Sequence, residues 1–457
     1  MPFDFLNPPA DGCNINLVVL KCRLMLDRIF HLHEHKTSLR REVVAGITTF
    51  ITMAYIVVVN PAIMEAAGIP KDATMTATAL TAALGTLLMA FYANRPFAIA
   101  PYMGENAFIA YTVCLGMGLR WQSALGAVFL SGILFIILTI TKARSYLADA
   151  IPASLRFSFA CGIGLFLAFI GLVGMGIVQV GSEGAPVRLG SVAEPRVLVS
   201  IVTLLLMGLL SVRKVPGAIL VSMAVGTTIA FLLGIEKAPT SIFSSPPSLA
   251  PIFAKFDFGE AISPAFINVT VVILVMAFLD TIATLVAVSS IANFLDDDGN
   301  LPNIEKPMLC DAVATTCAAI LGTTTSGAYI ESASGIHSGG RTGLTALVVA
   351  ILFLLTLFFA PILTSVPQCA YAPALVVVGA SMMTTITRIP FDKTEEAIPA
   401  FFVIALMSFT YNIAIGMTAG FVLYPLFMVA SGRGREVKFG MWLFFVISLI
   451  LFAIYPT

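Results

Sequence analysis

Charge is the scarcest thing in this sequence. Only 11% of its 457 residues are Asp, Glu, Lys or Arg, against about a quarter in soluble domains. With 58% hydrophobic residues and a mean hydropathy of +0.98, water cannot be the main solvent, which excludes an ordinary soluble domain. The 25 basic and 25 acidic side chains balance, so no global field gathers nucleic acid or anionic substrates. Cysteine is sparse too. The seven (Cys13, Cys22, Cys114, Cys161, Cys310, Cys317 and Cys369) form no CxxC pair, and most sit in apolar stretches as small packing residues. Histidine occurs four times. His31, His33 and His35 of HLHEH could ligate a metal, but alternate spacing suits a strand and a fourth ligand is not evident, so a solvated helix end is the preferred reading. The opening MPFDFLNPPADGCNINL lacks a basic region leading into an apolar one, so no cleavable signal peptide is expected and the first span should anchor the chain.

What is abundant is apolar sequence in runs long enough to cross about 30 Å of hydrocarbon as helix. They fall at 43–64, 74–94, 97–118, 121–141, 153–179, 196–212, 216–235, 264–290, 307–323, 326–340, 343–364, 369–386, 397–411 and 413–431. These runs predict an all-α polytopic membrane protein of fourteen transmembrane segments. A short apolar run at 439–455 is left over, either crossing once more or lying along the interface. With the N-terminus set inside, 19 of the 25 Lys and Arg fall in inside loops and six outside, which supports a cytoplasmic N-terminus in a plasma membrane, the inner membrane of a bacterium. Residues 15–30, INLVVLKCRLMLDRIF, read as an interfacial helix before the first span.

The two halves echo each other. IPASLRFSFACGIGLF at 151–166 resembles VPQCAYAPALVVVGAS at 366–381, and LLMGLLSVRKVPGAILVSMAVG at 205–226 resembles VIALMSFTYNIAIGMTAGFVLY at 403–424. Seven spans per half is odd, so consecutive halves insert with opposite topology, a 7+7 inverted repeat.

Two corresponding spans, the third and the tenth, are broken. RPFAIAPYMGENAFIAY places Pro96, Pro101 and Gly104 where helix should run, so helix begins cleanly only near Glu105. GTTTSGAYIESASGIHSGG opens on Gly322, a threonine run and Gly327, so extended backbone gives way to helix near Glu331. Irregular backbone at membrane depth survives only where protein buries it or it lines a cavity. The two half-helices therefore mark a site near the midplane, with residues near 98–103 and 324–329 extended and adjacent.

Three carboxylates project into this region: Glu105 and Glu331 at the half-helix starts, and Asp280 midway along the eighth span. A central charge costs about 2.5 to 3.5 kcal/mol on insertion scales, so each is a functional candidate, although Glu105 is also a natural helix cap. Asn106 and Thr284 add neutral donors and acceptors. Asp311 lies near its span's cytoplasmic end, where a cap is expected, and His337 reads as an interfacial residue or a gate. Carboxylate acceptors without a matching Lys or Arg suit a neutral ligand rich in N–H donors. Three carboxylates cannot all ionise cheaply in a low dielectric, so one holds a proton. Asp280, mid-helix and away from a helix N-terminus, is the expected coupling group, alone or sharing that proton with Glu331 and Glu105. Proton symport of this kind needs no cofactor.

At these residues the sequence becomes familiar. REVVAGITTFITMAYIVVVNP at 41–61, the NAF of GENAF at 104–108, FLD at 278–280, and AYIESASG with GGRTGLTA at 328–346 resemble the AzgA-like purine permeases of the nucleobase/cation symporter-2 (xanthine/uracil permease) family. The resemblance covers about residues 36–436. It implies import of hypoxanthine, guanine or adenine with a proton by an elevator motion, and places Asn106, Asp280 and Glu331 at purine-contacting positions. It also implies a core domain at 41–141 (spans 1–4) and 264–364 (spans 8–11), and a gate domain at 151–235 (spans 5–7) and 369–431 (spans 12–14). Residues 1–40 form a cytoplasmic segment and 432–457 a C-terminal one. Two departures stand beside the pocket: Glu105, where relatives carry an apolar residue, and Ala283-Thr284, where they carry Gly-Thr. The alternatives are carriage of xanthine, uracil or an anion on the same fold, or a channel-like pore. A membrane enzyme is disfavoured, because neither HExxH nor a nucleophile elbow occurs. The partners expected are the purine, the proton and the bilayer, with a homodimer left open.

Overall fold

The computed structural model describes residues 25–141, 150–181, 184–259, 261, 263–296 and 301–454. Fourteen spans follow one another in chain order. Among the described residues nine are apolar helical stretches of at least 18 residues: spans 1 (Leu39–Ala66, interrupted by a turn at Ala54 and Tyr55), 2 (Lys71–Ala93), 4 (Trp121–Ile140), 5 (Ala153–Gly174), 6 (Pro195–Val212), 8 (Pro264–Ala292), 11 (Gly343–Thr364), 12 (Gln368–Arg388) and 14 (Ile413–Ala430). Spans 7 (Ala218–Leu232), 9 (Glu305–Leu321) and 13 (Thr394–Phe409) are shorter helices. Spans 3 and 10 are the broken ones. The leftover run forms a further helix, Phe439–Ile454, that packs on span 14, with the Phe421 and Phe444 rings stacked 4.8 Å apart. The anticipated interfacial helix lies mostly outside the described residues, which hold only its end at 25–30.

Local chemistry sets the helix ends. Spans 5 and 12 begin directly after Pro152 and Pro367, whose fixed φ suits a helix entrance, and these starts coincide in the internal repeat. Span 8 is entered through Ser263, whose hydroxyl accepts the Phe266 N–H at 3.1 Å, and it ends on Asn293 in the left-handed region, φ 55°. Span 9 ends on Gly322 at φ +95°, and a Cβ there would also press into Ile252. Only glycine lets the chain turn at that point into the threonine run.

Span 2 is the most enclosed of the long spans, while spans 6 and 11 turn much of their apolar surface outward, with Leu205, Leu209 and Val212 of span 6 exposed. Span 9 packs on spans 2 and 4, span 11 on spans 1 and 2, and span 8 on span 4. Span 12 packs on spans 5, 6 and 7, and span 13 on spans 5 and 14. These two sets meet where spans 3 and 5, and the second half of span 1 and span 12, come together.

Three expectations change in detail. Helix in span 3 starts at Met103, two residues before Glu105, because Tyr102 is already extended (ψ 131°) and caps it. After Ala107 the helix widens into a π-helix to Gly116, which apolar length alone did not signal. Asp311 is not a cap: it lies within span 9, fully buried, where its Oδ2 accepts the Ala328 N–H at 3.0 Å and the Thr281 hydroxyl at 2.9 Å. In HLHEH, His31 pairs with Glu34 at 3.3 Å and His33 with Asp27 at 3.6 Å, so these two turn to separate carboxylates.

Candidate functional site

The site begins with two three-residue strands. Ile99–Pro101 of span 3 pairs antiparallel with Ser326–Ala328 of span 10, and the register centres on Ala100 opposite Gly327. All six residues are buried. A strand pair in the membrane would leave N–H and C=O groups exposed at its edges, but here neighbours take them. Thr86 brackets Ile99, its hydroxyl accepting the Ile99 N–H (2.9 Å) and facing its carbonyl (3.1 Å). Thr315 does the same for Ser326, at 3.1 and 2.9 Å. Asp311 takes the Ala328 N–H. Gly327 is required at the crossing, because a Cβ would run into the Tyr102 phenol.

From this crossing the chain leaves in two opposed half-helices. Met103–Ala107 carries Glu105 in its first turn and Asn106 beside it, while Ser332–His337 starts on Glu331 as its N-cap residue. Tyr102 and Tyr329, at equivalent places after each strand, stack with ring planes 9° apart and centroids 6.3 Å apart. The Tyr329 hydroxyl donates to the Pro101 carbonyl, tying one half-helix to the other strand.

The expected site residues are placed as follows. Glu105 is wholly buried and neither carboxylate oxygen has a hydrogen bond among the described residues. Asp280, half-buried on span 8, is close enough for its charge to act on both Glu105 and the Tyr102 phenol. Two like charges there repel strongly in a low dielectric. Thr284, half-buried, lies one turn further along. Glu331 is half-buried, and its Oε1 accepts the Tyr55 hydroxyl at 2.7 Å. Asn106 is fully buried in a polar cluster: its Nδ2 donates to Asn60 Oδ1 at 2.5 Å, and its Oδ1 accepts from Thr324. His337 ends its half-helix exposed. The fold thus brings Glu105 and Asp280 to one place and sets Glu331 and Asn106 on the opposed half-helices, each held by a residue of span 1.

Sequence reading missed Tyr55, Asn60, Thr281 and Glu42. Glu42, fully buried in the first turn of span 1, accepts the N–H groups of Arg341, Thr342 and Thr345 at 2.9 to 3.3 Å and the Thr345 hydroxyl at 2.6 Å. It completes the cap that Thr342 begins on span 11, so the motifs REVVAGI and GGRTGLTA meet in space. Glu42 closes the charged run Arg40-Arg41-Glu42 just before the apolar run at 43–64, where it reads as a solvated residue and gives no signal of burial.

A chain of fourteen spans in which two opposed half-helices leave a buried strand crossing, each with a glutamate at its start, has the architecture of a secondary transporter of the 7+7 inverted-repeat class. Sequence and structure comparisons agree. The profile of the Permease family of xanthine/uracil permeases matches residues 40–452, and the chain belongs to that family. Guanine/hypoxanthine permease PbuO of Bacillus subtilis is 41% identical over 416 residues, covering 90% of this chain and 96% of PbuO. Adenine permease AdeP of Escherichia coli is 37% identical over 414 residues, covering 91% and 93%. The transmembrane domain of the cyanobacterial bicarbonate transporter BicA superposes with a TM-score of 0.63 at 18% identity, over 84% of this chain and 97% of that one, and shares the inverted-repeat fold. The chain is a multi-pass membrane transporter and not an enzyme.

Proposed function

We propose that this permease imports purine nucleobases (adenine, guanine or hypoxanthine) together with protons. The observation that carries the reading is the packing of span 8, which bears Asp280, against the Glu105 half-helix beside the strand crossing, with Glu331 at the start of the opposed half-helix and, among the described residues, no Lys or Arg bonded to any of the three. Carboxylate oxygens accept N–H bonds, and purines present several along their edges. Permeases for guanine, hypoxanthine and adenine that align over nine-tenths of this chain support the same substrate class. An anion such as bicarbonate would meet the wrong sign.

In this reading Glu331 is the principal acceptor, Asn106, Glu105 and Thr284 complete the recognition surface, and Asp280 carries the coupled proton, alone or shared with Glu331. Spans 1–4 and 8–11 form a core that carries the site, and spans 5–7 and 12–14 form the gate it slides against. The packing of spans 8, 9 and 11 on spans 1, 2 and 4, and of span 12 on spans 5–7, supports that division. The N-terminus lies in the cytoplasm.

Uptake of labelled hypoxanthine, challenged with excess adenine, guanine, xanthine or uracil with and without a protonophore, tests the reading. Competition by the first two, together with loss of accumulation when the proton gradient collapses, is expected. Competition by xanthine or uracil alone would shift the substrate class, and indifference to the protonophore would remove the coupling.

A further inference from the structure

Span 1 is not one helix. Its Leu39–Met53 segment ends in a turn at Ala54 and Tyr55, and helix resumes over Ile56–Ala66, with Pro61 inside the second segment. The turn reaches one half-helix and the segment after it reaches the other. Tyr55 is fully buried, and among the described residues its hydroxyl makes one hydrogen bond, the 2.7 Å donation to Glu331 Oε1. Asn60 is buried too, with its carboxamide committed on both sides: Nδ2 donates to Thr78 Oγ1 at 2.6 Å and Thr323 Oγ1 at 2.9 Å, and Oδ1 accepts from Asn106.

The polarity of this cluster follows from counting protons. The one hydroxyl proton of Thr78 goes to the Thr74 carbonyl at 2.6 Å, so its oxygen must accept from Asn60. That turns the Asn60 amide nitrogen toward span 2 and its carbonyl toward Asn106. Asn106 must then offer its nitrogen to Asn60 and its carbonyl to Thr324. A chain of fixed donors running from Thr74 sets which way round Asn106 stands. On the other half-helix the phenol, which can give only one proton, spends it on one oxygen of Glu331 and leaves the other for a ligand.

We infer that Tyr55 and Asn60 are positioning residues for the nucleobase site, Tyr55 acting through Glu331 and Asn60 through Asn106, so that span 1 sets the orientation of one recognition group on each half-helix. The inference rests on the purine reading above and adds two residues that touch no ligand. It explains why one buried polar group of span 1 sits in its interruption and the other little more than a turn beyond it. It also makes span 1 part of the moving unit, since a span that stayed behind would break both bonds in each cycle.

The test is a pair of double-mutant cycles read as equilibrium binding of labelled hypoxanthine to the purified full chain, with thermal melting of each variant recorded alongside. Tyr55→Phe keeps the ring and the packing. Losing a hydrogen bond to a charged group is expected to weaken binding by about tenfold or more, while transport at saturating substrate changes little. In the Glu331→Gln background the phenol meets a neutral amide, so the same change should cost about fivefold less than in the parent. Asn60→Ala should likewise weaken binding in the parent and add little once Asn106→Ala is present. A Tyr55→Phe or Asn60→Ala variant that binds as the parent does, or whose loss is repeated in full in its partner's background, overturns the inference even if the protein binds purines. A parent that binds no nucleobase overturns the purine reading, and the inference with it.

Discussion

Replacing Glu331 with Gln preserves volume and changes only what the two terminal atoms can do. In the parent, Oε1 accepts the Tyr55 hydroxyl at 2.7 Å and the second oxygen has no bond among the described residues. A glutamine has two ways to sit. With its carbonyl toward Tyr55 it turns an NH2 on the ligand, donor against donor. Flipped, it offers the ligand a carbonyl but strands the phenol proton. Either choice leaves one group mispaired beneath the bound ligand, at a cost of about 1 to 3 kcal/mol, or roughly five- to 150-fold in dissociation constant. Scintillation-proximity binding of labelled hypoxanthine to detergent-purified protein reads that range directly. A variant whose affinity stays within about twofold of the parent would refute the assignment of Glu331 as the principal acceptor, since the penalty follows from hydrogen-bond counting alone.

Asp280→Asn fixes the side chain in a neutral form; labelled base should still exchange across the membrane of loaded proteoliposomes, but accumulation driven by a pH gradient should vanish, and accumulation equal to the parent's would pass the coupling role to Glu105. Gly327→Val forces branched carbon into the Tyr102 phenol at the strand crossing; overpacking typically costs about 1 to 3 kcal/mol, so both the melting temperature and substrate binding should fall. Glu42→Ala removes the acceptor for three backbone N–H groups and one hydroxyl at the start of span 11; with about 1 to 3 kcal/mol for each group left buried and unpaired, a clear drop in melting temperature is expected, and an unchanged melt would show that the cap is replaceable.

The sequence makes legible what length and backbone chemistry decide. The expected span at 196–212 is found at Pro195–Val212, that at 369–386 at Gln368–Arg388, and that at 413–431 at Ile413–Ala430, because prolines, glycines and loop charges bound each apolar run. The two breaks were legible because their disruptors cluster, Pro96, Pro101 and Gly104 in one and Gly322, a threonine run and Gly327 in the other; a lone proline such as Pro61 or Pro425 stays inside its helix, whereas Pro101 and Gly327 are strand residues of the crossing. What stayed hidden depends on distance along the chain. Tyr55 finds Glu331 across 276 residues, and Asn60 finds Asn106 across 46. Within an apolar run such residues look like single polar interruptions, and neither spacing nor hydropathy names their partners. Asp311 was misjudged because depth along its own helix suggested a cap, whereas its role comes from the strand that passes beside it. The π-helix at Phe108–Gly116 is legible in neither composition nor period, since one extra residue per turn leaves an apolar segment apolar.

The account's central claim is that a purine and a proton cross together through this site, and proton movement can be read without any imposed gradient. In proteoliposomes holding a pH-sensitive dye, with equal pH on both sides and the membrane potential clamped, adding hypoxanthine outside should acidify the lumen in step with uptake of labelled base, and Asp280→Asn should abolish the acidification. Uptake of the base with no change in lumenal pH would contradict the claim.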